Sequence, residues 1–362
     1  MDTFGKYLGF SLKHISPEII SEKNKLVMLN SLEFLPDTFS YSVFGYEKKL
    51  ASEEGKADLA VSGSVTRPAP FNFNSSFTFP GLKKLADEDP AWKRLEACTS
   101  RWKDVPDAGG IVPEVICLEF DFDSLLAGNT TPSLFLGIEK GFIQDHPENK
   151  NQLFNRLNVF NEGIGKLSGS PLNADTAAFM RETSEKIFPE YSLFQTGIML
   201  SRPDSPVRVC LKRFTGEKLL SIAGDLFPPS GMAAEVKEIV EKYGMFFDHF
   251  ALSLDVLRGV IVKWGVECYY NKKRQPAYEK RWQEVLALLV KENYCSGNMM
   301  NEILNFPRKV ATAGVPELMS APYPPEFYAQ ALHHLKFTPG AGRENFAKVY
   351  LWAGFGRKGM DT

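Results

Sequence analysis

Several segments of this 362-residue chain put cations and aromatic rings on the same side of an alternating pattern. In VRVCLKRF (207 to 214) the shared side carries Arg208, Cys210, Lys212 and Phe214; in VIVKWGVECYY (260 to 270) it carries Lys263, Gly265, Glu267 and Tyr269. HHLKFTP (333 to 339) adds Lys336, and FAKVYLWAGF (346 to 355) adds Lys348, Tyr350 and Trp352. In PEVICLEFDF (113 to 122), Glu119 shares a side with Cys117 and Asp121. A period of two places such residues on one face of a strand. Cations gathered in a partly dry space are costly until an anion joins them, and interleaved rings supply both apolar walls and faces that stabilise positive charge. That combination suits a pyrophosphate ester with a hydrocarbon tail. Breaking the allylic carbon-oxygen bond leaves a carbocation for the rings to shield while Lys and Arg hold the departing anion. A nearby carboxylate, Glu119 or its competitor Glu267, could then take the proton released when an aromatic ring is alkylated.

Such convergence requires strands from distant parts of the chain to meet. The order strand, turn, strand, helix recurs four times and a fifth hairpin without a following helix closes the series, although the copies barely resemble one another in sequence. The hairpins are 39 to 47 with 56 to 65, 113 to 122 with 132 to 139, 192 to 202 with 207 to 214, 249 to 257 with 260 to 270, and 333 to 339 with 346 to 355. An opening helix, PEIISEKNKLVMLNSLEFL, is expected from an N-cap at Ser16 with Pro17 at the first position. Tight turns force antiparallel pairing, and ten twisted strands tend to curl or close so that no edge remains. The predicted fold is α+β: a ten-stranded antiparallel β-barrel of five hairpin-helix repeats inside a ring of helices, occupying residues 1 to 362 as one domain. The apolar faces, such as Ile116, Leu118, Phe120 and Phe122, or Val262, Trp264, Val266 and Cys268, are assigned outward beneath the helices. The cation-bearing faces then line a lumen. The opposite assignment, polar faces to solvent around a sealed apolar core, is excluded if helices cover the polar faces.

Composition narrows the setting. With 42 basic and 44 acidic residues the net charge is -2, which gives no global field for nucleic acid or an anionic membrane. No stretch approaches the ~20 consecutive apolar residues of a spanning helix, and the start lacks a signal-peptide pattern, so a soluble, cytoplasmic chain is expected. Five scattered cysteines without a CxxC pair read as reduced thiols, mostly buried. On the same grounds, the sequons at Asn74 and Asn129 are chance matches.

The layout and several strands resemble the aromatic prenyltransferases of the dimethylallyl-tryptophan synthase type, with their α-β-β-α barrel. FAKVYLWAGF, with Lys348 and Tyr350 two apart after HHLKFTPG, is similar to that family's closing Lys-x-Tyr strand, and ICLEFDF followed by FLGIEKGF resembles its early hairpin. The resemblance implies Glu119 as the catalytic glutamate. It also implies Arg208, Lys212, Lys263, Lys336 and Lys348 as pyrophosphate ligands. Tyr269 and Tyr350 follow as cation shields; Trp352, Phe135, Phe214 and Glu267 are further candidates for the shield and acceptor pocket. It departs from the family where an arginine is expected near Phe135 and where Phe214 replaces a usual tyrosine. The implied partners are an allylic pyrophosphate donor and an electron-rich aromatic acceptor, an indole or phenol, free or within a peptide.

Other chemistries find less support. Glu119, Asp121 and Asp123 look like an acidic metal motif, but along a strand they form a row, so magnesium is possible without being indicated and no cofactor is required. The five histidines show no zinc spacing, and His333-His334 falls at an expected helix-strand junction. Gly354-Phe-Gly356-Arg-Lys-Gly359 matches GxGxxG by letter only, since no helix can follow it. Met28, Met299 and Met300 read as core filler. The alternative function is a non-catalytic barrel holding an amphipathic anionic ligand in the same lumen.

Overall fold

In this computed structural model the described residues are 3–35, 43–64, 86–87, 89–101, 115–137, 150–189, 192–202, 204–227, 231–271, 279–319, 324–340, 342 and 346–356. The sequon at Asn74, the outer ends of the first two predicted hairpins and Arg357 to Gly359 of the glycine motif lie outside them.

The hairpins are β1 (Val43–Lys49) with β2 (Asp58–Ser64), β3 (Val115–Phe120) with β4 (Ser133–Gly137), β5 (Ser192–Ile198) with β6 (Val207–Phe214), and β7 (His249–Leu257) with β8 (Val260–Tyr269). A short β9 (Arg308–Ala311) precedes the last pair, β10 (Phe327–Phe337) and β11 (Ala347–Gly356). Every neighbouring pair is antiparallel, and because β11 pairs with both β10 and β1 the ten hairpin strands close into a barrel. β9 adds only to the edge of β10. The expected architecture is therefore present. The β7–β8 turn is the predicted Arg258-Gly259, with positive φ at both residues (50° and 77°), the geometry whose twist matches that of the two strands.

The core lies between the barrel and its helices. Leu118, Phe120, Val207, Val209, Leu211, Val266, Cys268, Val349 and Leu351 all belong to it. The helices are α1 (Thr3–Lys13), α2 (Glu22–Leu32), α3 (Pro90–Arg101), α4 (Phe122–Leu126), α5 (Lys150–Ser168), α6 (Ala174–Ile187), α7 (Gly216–Leu226), α8 (Met232–Tyr243), α9 (Arg281–Lys291), α10 (Gly297–Asn305) and α11 (Pro316–Met319). Their amphipathic stripes explain the docking. α9 buries Trp282, Val285, Leu286 and Leu289, spaced at i, i+3, i+4 and i+7. Each such side chain contributes about 1.5–3 kcal/mol when fully removed from water. Met28 and Met299 are buried and Met300 packs against the same core, as filler. Cys210, Cys268 and Cys295 are buried free thiols. Among the described residues no helix is long and apolar enough to cross a membrane.

The structure corrects several boundaries. The opening helix starts at Glu22 and is capped by Ser21, whose hydroxyl accepts from the Asn24 N–H, because Ser16 instead forms a local turn with the Glu18 N–H. The fifth hairpin, expected to lack a covering helix, is covered by α1, a helix the sequence reading did not anticipate. Tyr7 packs on Phe355 at 4.6 Å, Phe10 meets Tyr328 edge-on at 5.5 Å, and Ser11 hydrogen-bonds the hydroxyls of Tyr46 and Tyr328. β10 begins six residues before the expected start, so His333 and His334 lie within a strand and not at a junction. β3 ends at Phe120. Asp121 becomes the N-cap residue of α4 and Asp123 falls in its first turn, so the three acids form no row. Val262, assigned beneath the helices, is exposed, since the outer end of β8 projects past them.

Candidate functional site

The barrel encloses a cavity of about 300 Å³ lined by residues from β1, β2, β3, β4, β5, β6, β8, β10 and β11. Glu119, Arg208, Lys212, Glu267, Tyr269, Tyr350 and Trp352, assigned to the lumen from alternation, and Phe135, placed there through the resemblance, line it together with Cys117, Cys210, His333 and His334. Cross-strand register explains why. Lys336 faces both Glu267 and Lys348 on the neighbouring strands, and Tyr350 faces His334 and Glu47. Lys336 and Lys348 are buried on the lumen side.

Two of the expected site residues lie elsewhere. Phe214 belongs to the core under the helices: a bulge at Arg213, which has φ of 76°, shifts the register between Lys212 and Phe214 and turns the ring outward opposite Phe250. Lys263 is exposed and lies outside the cavity lining, opposite Asp255 where β8 leaves the barrel.

One side of the lumen is a run of stacked rings. His249 lies on Tyr269 at 5.2 Å, Tyr269 on His334 at 4.6 Å, and His334 on Tyr350 at 4.0 Å, with interplanar angles of 5°, 25° and 15°. The Lys212 ammonium stands 5.2 Å from the Tyr269 centroid. Tyr269 donates to Glu267 at 2.7 Å, and Tyr350 donates to Glu47. Burial, together with those carboxylates, pushes both phenols well above their ordinary pKa, so they remain donors. Burial and the charges of Lys336 and Lys212 hold His334 far below the usual imidazole range, and its Nε2 has no hydrogen-bond partner among the described residues.

At the other end charges meet in a compact network. Arg208 donates to Asp255 at 2.6 and 3.1 Å and lies 3.7 Å from Glu119. Arg202, in the turn after β5, reaches Asp255 at 3.1 Å and both Glu119 and Asp121 at 3.3 Å. Burial raises the Glu119 pKa against the pull of Arg208 and Arg202. Asp58, opposite Glu47 in register, is pushed up to about 7 by burial and by the Glu47 charge.

Sequence reasoning missed the lumen's own counterions. Glu47 pairs with Lys348, Glu267 lies 3.4 Å from Lys336, and Asp255 holds Arg208. Glu47 and Asp255 each carried a visible signal, a polar residue at the inward phase of a predicted strand. Arg202 was placed at the end of the predicted strand 192 to 202, whereas β5 ends at Ile198 and Arg202 sits in the turn beyond it. Among the described residues no group of three His, Cys, Asp or Glu is arranged to hold a metal ion.

No family model matches the chain, and no curated protein matches it in sequence. Solved structures do match its fold. One is the 6-dimethylallyltryptophan synthase from Micromonospora olivasterospora in complex with DMASPP and Trp, with a TM-score of 0.52 and 12% identity, covering 97% of this chain and 97% of that one. Another is AnaPT from Neosartorya fischeri, with a TM-score of 0.52 and 12% identity, covering 98% of this chain and 93% of that one. The shared feature is the helix-ringed barrel over nearly the whole chain.

Proposed function

We propose that this protein is an aromatic prenyltransferase, moving an isoprenoid from an allylic pyrophosphate to an electron-rich aromatic acceptor. The observation that carries the reading is one barrel lumen lined by Arg208, Lys212, the buried Glu119 and the stacked rings of Tyr269, His334 and Tyr350, with Lys336 and Lys348 buried in the neighbouring register positions. The structural neighbour whose complex contains DMASPP and Trp supports donor and acceptor of this kind. In the proposed reaction the allylic carbon-oxygen bond breaks and its electron pair leaves with pyrophosphate, held by Arg208, Lys212, Lys336 and Lys348. Tyr269, Tyr350 and Trp352 shield the allylic cation. The acceptor ring forms the new carbon-carbon bond and loses a proton, and Glu119 orients the ring or takes that proton. Lys263, outside the cavity lining, takes no part in this step. The cavity volume, at the small end of the ~300–1,000 Å³ range of ligand pockets, favours a five-carbon donor with a single indole or phenol.

A second reading rests on the counterions. Arg208, Lys336 and Lys348 already have carboxylate partners, and Phe135 occupies a place where the family resemblance implied an arginine. A barrel of that kind could hold an amphipathic anion without ionising it. Incubation with dimethylallyl or geranyl pyrophosphate and a panel of tryptophan, tyrosine, phenols and aromatic peptides, with magnesium or with EDTA, separates the two. Prenyl mass gain with pyrophosphate release supports transfer and the paired samples report any metal dependence. Ligand binding without turnover over the whole panel supports the second reading.

A further inference from the structure

The lumen has a second wall unlike the ring-stacked one. Along β1 and β2 its lining is Val43, Gly45, Ala60 and Ser62, with Cys117 next on β3, so the small-residue floor is Gly45, Ala60 and Ser62 with Val43 at its edge. Register sets Gly45 opposite both Trp352 and Ala60, and Ala60 opposite Glu119. A bare floor two strands wide thus separates an indole side chain from the buried carboxylate.

The outward faces of the same two strands carry Phe44, Tyr46, Leu59 and Val61, all fully buried. Small residues are confined to the lumen side. The backbone does not impose the glycine: Gly45 is not left-handed, and a Cβ added there would meet the Ala60 methyl at 3.4 Å, within ordinary contact. A barrel interior packed only for stability would fill this space, because lining atoms that face a void lose their dispersion partners.

The rings on either side also lie back from the floor. A Cβ on Gly354 would stand 3.1 Å from Trp352 Cζ2, so the Trp352 ring rests over the glycine along its own strand. A Cβ on Gly197 would collide with the Phe135 ring and stand 2.7 Å from the Leu134 carbonyl oxygen, so that ring rests over β5. Two glycines let two large rings lean away from one small-residue floor that ends at Glu119.

We propose that Gly45 and Ala60 of this β1–β2 floor are the specificity-determining residues for the acceptor, a planar ring lying flat on them and their small size setting the ring size admitted. The proposal rests on the prenyl-transfer reading and deepens it. The two walls then divide the work: the donor's pyrophosphate and allyl group lie along the cations and stacked rings, and the acceptor lies flat across from them. A bicyclic indole covers the floor more fully than a phenol, so crowding the floor penalises indoles first.

The test uses the full chain and measures binding by calorimetry, with dimethylallyl thiolopyrophosphate as a donor analogue that does not ionise, and with tryptophan and tyrosine as acceptors. Thermal melts first establish that Gly45→Val, Ala60→Val and Gly354→Ala are folded. Tryptophan binding is expected to weaken at least tenfold in Gly45→Val and Ala60→Val, tyrosine binding less, and donor-analogue binding less than twofold. Gly354→Ala, which pushes the Trp352 ring off its seat and over the floor, is expected to weaken tryptophan binding without altering the β1–β2 floor. Unchanged tryptophan affinity in both valine variants overturns the proposal, as does equal loss of donor and acceptor. If the unaltered protein binds the donor analogue but neither acceptor, this inference falls and the donor half of the reading stands. If it binds neither ligand, the prenyl-transfer reading fails with it.

Discussion

The inside of the barrel and the layer outside it are built from alternate residues of the same strands, yet they satisfy opposite requirements. Outside, Val207, Val209 and Leu211 meet helices that bury apolar stripes, and a polar group there is an exception. Inside, Arg208, Cys210 and Lys212 face carboxylates and rings gathered from distant strands. Stability comes mainly from the outer layer, where burial needs only shape and apolarity. The lumen spends part of that stability on charges that must be matched one to one. Variants on the two faces should therefore fail differently.

The largest expected effect is on the lumen's chemistry. Glu119→Gln keeps the shape and one acceptor oxygen but removes the base, and prenyl transfer to an aromatic acceptor should fall by about 10²–10⁴-fold in kcat. Product mass spectrometry with a thermal melt checks this; an unchanged rate would reassign the proton to Glu267.

Arg208→Met should cost about 3 kcal/mol in urea unfolding, the lower end for breaking a buried ion pair, because Arg202 remains to hold Asp255. Adding Asp255→Leu should recover most of that loss. If the double variant is as unstable as the single one, the pair is not acting as a matched unit.

Next comes the polar outlier of the outer layer. Lys48 is fully buried on β1, its ammonium has no hydrogen-bond partner among the described residues, and burial lowers its pKa to about 8. Lys48→Met should stabilise the protein by roughly 1–3 kcal/mol at pH 7, the usual cost of a buried unsatisfied polar group. The sign with pH follows from a folded pKa below the unfolded one: the lysine's contribution is lost as pH falls through about 8 and is fully restored only above the unfolded pKa of about 10.4. The advantage of the methionine variant should therefore shrink from pH 8 upward, and denaturant midpoints at pH 7 and pH 10 measure it.

Tyr269→Phe is the mildest. It deletes one hydrogen bond to Glu267, which keeps Lys336 nearby, and should cost about 0.5–1.5 kcal/mol while preserving the ring stack. A larger loss would mean that the stacked wall depends on the hydroxyl for its alignment.

Sequence alone determined which faces of the strands go inside, because alternation is local and a closed sheet has only two sides. The recurring hairpins and their need to close implied the barrel, and alternation then implied the lumen positions of Glu119, Arg208, Lys212, Glu267, Tyr269, Tyr350 and Trp352. Tertiary structure decided the rest. One extra residue at the Arg213 bulge reversed the side taken by Phe214, and no pattern of period two reveals such a shift in advance. The helix α1, more than 300 residues from β10 in sequence, completes the ring because Ser11 reaches Tyr328 across the closed sheet. The partners of the cations, Glu47 for Lys348 and Asp255 for Arg208, follow from cross-strand register, and Arg202 joins Glu119 from a turn that has no face at all. Local periodicity fixes direction, whereas charge pairing and open space depend on which strands meet and in what register.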